Sequence, residues 1–92
     1  MRTYMVIERF CPDAMQAVYD RFASRGRMLP AGLLYVDSWL SSEREVCYQL
    51  MKTDDPSLFE QWIAHWSDLV EFDIVPLDNT TPDGHNITPI TK

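Results

Sequence analysis

The sequence predicts an α+β domain of order β-α-β-β-α-β, the ferredoxin-like split unit, with an antiparallel sheet in the order 4-1-3-2 and both helices on one face. Three observations predict it. Four short runs are rich in β-branched and aromatic residues. Two intervening segments repeat their apolar residues at helical spacing. Only a short polar turn separates the second and third runs, so those two strands form a hairpin.

Residues 3–10 (TYMVIERF) are the first strand. Pro12 fits the first turn of a helix, and residues 13–25 then place Ala14, Met15, Val18 and Phe22 on one stripe. Gly26 stands where a helix C-cap belongs. Residues 33–40 are the second strand, 41–44 the turn and 45–52 the third strand. Asp55 is placed as an N-cap with Pro56 in the first helical position, and Leu58, Phe59, Trp62, Ile63 and Trp66 form a buried stripe. Residues 70–76 are the fourth strand, closed by Pro76. Residues 1–77 make the domain, and 78–92 form a polar, Thr/Pro-rich C-terminal tail.

Side chains alternate along a strand, and that alternation predicts two faces. Met5, Ile7, Val36, Leu40, Tyr48, Leu50, Phe72 and Ile74 are assigned to the helices. Tyr4, Val6, Glu8, Phe10, Tyr35, Asp37, Trp39, Cys47, Gln49, Met51, Glu71 and Asp73 are assigned to the open face, with Trp39 opposite Cys47 and Asp37 opposite Gln49. An open face this aromatic predicts a homodimer through facing sheets. Asp73, Glu8, Gln49 and Asp37 would cross it as a polar belt. The belt fits either cross-dimer hydrogen bonding or a mostly apolar cavity between the sheets. In such a cavity, Glu8 and Asp73 would share a raised pKa, making Glu8 a candidate general acid/base.

Composition narrows the partners. The chain has 92 residues, 46% hydrophobic and 12% aromatic, which suits a packed core and makes one domain. A net charge of −6 repels phosphate backbones, so nucleic acid is excluded as the expected partner. The N-terminus lacks the long apolar stretch of a signal peptide or membrane span, so a cytoplasmic protein is expected, with the Asn79 and Asn86 glycosylation triplets read as chance. Cys11 and Cys47 are then expected reduced. No Cys or His spacing suits a metal, and no cofactor motif is present. Arg21, Arg25 and Arg27 cluster at the end of the first helix, as an anion site or as cations at a helix C-terminus. Trp62 and Trp66 fall on the core stripe.

The segments Met5-Val6-Ile7-Glu8-Arg9-Phe10, Arg25-Gly26-Arg27-Met28-Leu29-Pro30, Gln49-Leu50-Met51, and Trp62-Ile63-Ala64 through Trp66-Ser67-Asp68-Leu69-Val70 carry a resemblance. Over about residues 1–77 the chain resembles a family of short bacterial proteins catalogued only as a domain of unknown function. In fold it is also similar to the dimeric α/β-barrel superfamily. That likeness implies two facing sheets with room for a ligand, and it brings no catalytic residue to a position here. Glu8, Tyr35, Asp37, Trp39, Gln49, Asp73, Arg25 and Arg27 are the ligand-binding candidates. Three functions fit: a homodimeric small-ligand-binding or stress-associated module for an apolar or aromatic ligand, a cofactor-independent isomerase or monooxygenase using Glu8, or a purely structural dimer.

Overall fold

The computed structural model describes residues 1–77; the predicted tail, 78–92, lies outside them. The elements are β1 (Arg2–Phe10), α1 (Met15–Arg25), β2 (Leu33–Leu40), β3 (Val46–Thr53), α2 (Leu58–Ile63) and β4 (Val70–Leu77). All strand pairs are antiparallel and the sheet order is β2-β3-β1-β4, the order predicted. This topology fits the ferredoxin-like split unit. Pro76 does not close the last strand but sits within it, which an edge strand tolerates.

Local chemistry accounts for the element ends. Gly26 ends α1 with φ 67°, a left-handed value that glycine adopts without a Cβ penalty, and its N–H bonds to the Phe22 carbonyl. Asp55 does hold the start of the second helical segment. Its Oδ1 accepts from the Ser57 backbone N–H at 3.0 Å. The entry is a tight turn in which the Leu58 and Phe59 N–H groups bond to the carbonyls of Asp55 and Pro56, so regular helix begins only at Leu58.

The predicted faces of the two central strands are reversed. Tyr4, Val6 and Met51 are buried in one core with Leu33, Phe59, Trp62 and Trp66, so the helices cover the Tyr4–Val6–Glu8–Phe10 side of β1 and the Cys47–Gln49–Met51 side of β3. Met5, Ile7, Tyr48 and Leu50 take the open side. β4 follows the expectation, with Phe72 and Ile74 packed toward the core and Glu71 and Asp73 exposed. In β2 a register shift between Tyr35 and Asp37 changes the phase of the strand. Tyr35 therefore lies on the covered side, whereas Val36, Asp37 and Trp39 are exposed. The register pairs Trp39 with Tyr48, Ser38 with Gln49 and Asp37 with Leu50, one residue from the predicted pairing.

The reason is that β1 and β3 carry apolar side chains on both faces, so their hydropathy gives alternation a period but no sign. Contacts with the second helix supply the sign. The Tyr4 ring meets Phe59 edge-on at 5.1 Å, and Trp62 meets Phe72 edge-on at 5.3 Å. The open face remains apolar after the reversal. Leu34, Val36, Trp39, Tyr48, Val75 and Leu77 are all exposed, Trp39 to 50%.

Candidate ligand-binding site

A cavity of about 300 Å³ lies inside the protomer, between the sheet and α1. It lies on the helix-covered side of the sheet, opposite the open face. Its floor is Glu8 and Phe10 of β1, Cys47 and Gln49 of β3, Val70 and Phe72 of β4, and Ser38 and Leu40 of β2. Val18, Tyr19 and Phe22 of α1 form the roof, and Trp62, Trp66 and Arg27 close one end. The cavity exists because α1 does not seat fully: none of its residues is buried, and Phe22 is 43% exposed. Apolar walls with a few convergent polar groups are the usual make-up of a small-molecule site.

Glu8 is the partly buried acid of this cavity. Desolvation by burial pushes its carboxyl up to about 7, against the opposing pull of the Arg27 charge and a hydrogen bond from the Cys47 thiol. Asp73 has no part in that shift. It lies on the other face, paired with Arg9 and opposite Ile7 in the register. Burial, then the Glu8 charge, pushes the Cys47 thiol up to about 11. Cys47 is therefore a neutral donor at physiological pH and not a nucleophile. Both cysteines stand free.

Arg27 is held by its backbone as well as its side chain. Its carbonyl accepts the indole N–H groups of Trp62 at 2.9 Å and Trp66 at 3.1 Å. Its guanidinium lies 3.6 Å from the Tyr35 ring centroid and 5.0 Å from that of Phe22. Gly26 and Met28 on either side both have positive φ, and Met28 at 59° is a strained conformation for a bulky side chain. Gln49 is buried, and its amide nitrogen makes one weak bond, to Met51 Sδ at 3.3 Å. Its amide therefore keeps hydrogen-bonding capacity at the cavity.

The predicted site residues thus divide. Glu8, Gln49 and Arg27 meet around the cavity, and Tyr35 stacks on Arg27 while bonding to Ser38 Oγ at 2.7 Å. Asp37 and Trp39 are exposed across the β2 irregularity, Asp73 is on the open face, and Arg25 is exposed at the end of α1. Arg21 forms a bidentate pair with Asp68 at 2.8 Å and donates to the His65 carbonyl just past the second helix. Among the described residues no group of His, Cys, Asp or Glu side chains converges as metal ligands would, and no helix is long and apolar enough to cross a membrane.

The model of a family described as a domain of unknown function (DUF3303) matches residues 2–81. The chain belongs to that family. No curated protein and no solved structure matches it. The match spans every element that builds the cavity. Residue types alone did not reveal Tyr19, Phe22, Ser38 and the two tryptophans as cavity walls. The tryptophans did carry one usable signal: two buried indoles four residues apart each need an acceptor, and one carbonyl serving both fixes the residue that owns it.

Proposed function

We propose that the protein is a small-ligand-binding module whose ligand occupies the cavity under α1, and that two copies pair through their open sheet faces. One observation supports the reading: the covered side of the sheet is hollow around a largely desolvated carboxyl that is about half protonated near pH 7. A domain this small gains stability by packing its core, and a cleft lined with aromatic side chains gains contacts when a ligand fills it. The exposed Leu34, Val36, Trp39, Tyr48, Val75 and Leu77 support the pairing, because a contiguous apolar face of that kind marks a contact surface.

Native mass spectrometry of freshly purified full-length chain tests both parts. The expected result is a dimer carrying one small molecule per chain, with Val18→Phe displacing the small molecule and Trp39→Lys giving monomers. A wild type that is empty, with Val18→Phe more stable than it, would mean the cavity is only a packing defect. A second reading, a cofactor-independent isomerase, is favoured by the Glu8 carboxyl near 7, which matches the requirement for a general acid/base. It requires turnover of the retained molecule by wild type and none by Glu8→Gln.

A further inference from the structure

We infer that the ligand is an aromatic monocarboxylate, with its carboxylate between Arg27 and Glu8 and its ring against Phe72 and the two tryptophans; this rests on the cavity being a ligand site. Arg27 carries a guanidinium into the cavity wall, and among the described residues neither a carboxylate nor any other acceptor bonds to that side chain. Five N–H donors in a fixed fork match the two oxygens of a carboxylate. Stacking on Tyr35 and Phe22 and the two indole bonds to the Arg27 carbonyl hold the fork before any ligand arrives. Preorganisation of this kind is what a binding group requires and a solvated surface arginine lacks.

The space between Arg27 and Glu8 sets the charge of the ligand. The two side chains do not form an ion pair within contact distance, yet the Arg27 charge acts on the Glu8 carboxyl. A group bound between them meets one cation and one acid. Protonated, that acid donates to an anion; ionised, it repels one. A monoanion is matched there, whereas a phosphate dianion would bring a second charge against Glu8 with no second cation. Arg27 from the loop and Cys47 from β3 act on Glu8; Tyr19 of α1 is the other titratable group that lines the cavity, while β2, β4 and the second helical segment contribute only Ser38, Leu40, Val70, Phe72 and indoles. Aromatic walls and a volume at the low end for ligand sites admit one ring or two fused rings.

The test uses the full-length protein with 2-naphthoate and its neutral analogue 2-naphthamide, followed by isothermal titration calorimetry. Naphthoate should bind once per chain and more tightly than the amide. Its affinity should fall about tenfold between pH 6 and 8 as Glu8 ionises, while that of the amide stays level. Arg27→Gln should weaken naphthoate at least about tenfold, and by several-fold more than it weakens the amide. Naphthamide binding as tightly as naphthoate, or an affinity for naphthoate that rises with pH, would overturn the carboxylate assignment while leaving the cavity a ligand site. These arms use wild-type protein and do not depend on how the variant folds. Failure of both compounds to bind would overturn the aromatic class as well, and the cavity reading would then stand or fall on the retained-mass measurement.

Discussion

The covered face of the sheet has two halves that differ in kind. Under the second helix it is solid: Tyr4, Val6, Met51, Phe59 and Trp62 are buried, and Val6 and Met51 have no exposed surface. Under α1 it is hollow: Glu8, Cys47 and Gln49 replace aliphatic side chains, and the helix above them stays half wet. A short chain thus concentrates its cohesion at one end of the sheet and leaves the other end for polar groups that would weaken a core. Side-chain loss should therefore be severe on the solid half and mild on the hollow one.

The largest effect is expected from Phe59→Ala. It removes the ring that packs on Tyr4 and lies beside Trp62, and should cost about 3–5 kcal/mol. For a small domain that is most of the available stability, so urea titration should show a largely unfolded population before any denaturant is added. A cost below 1 kcal/mol would erase the contrast.

Next comes Glu8→Gln, which acts in the opposite direction. The native carboxyl, at about 7, holds its proton where the unfolded chain, near 4.5, has released it. Between those two values the native state binds more protons, so wild-type stability falls as pH rises from about 4.5 to 7 and is level above. The full difference is roughly 3 kcal/mol. Glutamine never ionises, so the variant should match wild type near pH 5 and melt higher at pH 8. Parallel melting curves for the two proteins from pH 5 to 8 would mean the hollow half does not desolvate its acid.

Gly32→Ala should cost roughly 1–2 kcal/mol. Gly32 leads into β2 with φ 97°, and an added Cβ would lie 3.1 Å from Leu58 Cδ1, at the solid end. Chemical denaturation with an unchanged m-value would locate the loss in the native state. Phe22→Ala, in the roof of the cavity, should cost about 1 kcal/mol or less because its side chain is already nearly half in water. A loss as large as that of Phe59→Ala would show that α1 is seated as firmly as the second helix.

Much of this architecture can be read from residue order. The β-α-β-β-α-β succession follows from the two periodicities, and Gly26, Asp55 and Pro56 mark helix ends through local chemistry alone. The phase of the central strands cannot be read in the same way. Met5 and Ile7 are as apolar as Tyr4 and Val6, so only the tertiary contact with Phe59 shows which pair turns inward. The β2 irregularity is also silent in the residue types around Val36. The site was partly legible for the same reason: Glu8 and Gln49 share a face whichever face it is, whereas Arg27 joins them only through the path of the loop. Asp73 parts from Glu8 because residue types assign the phase of β4 correctly and that of β1 in reverse.

The shared carbonyl of Arg27 also makes the protein its own optical instrument. Three tryptophans divide between two environments: Trp62 and Trp66 are buried with their indole N–H groups on one oxygen, while Trp39 stands on the open sheet face. The buried pair should emit toward the blue and the exposed one toward the red. Movement of the Arg27 loop would alter the blue component, and cover over the open face would shift the red one. Emission spectra of the unlabelled chain can therefore separate events in the cavity from events on the sheet.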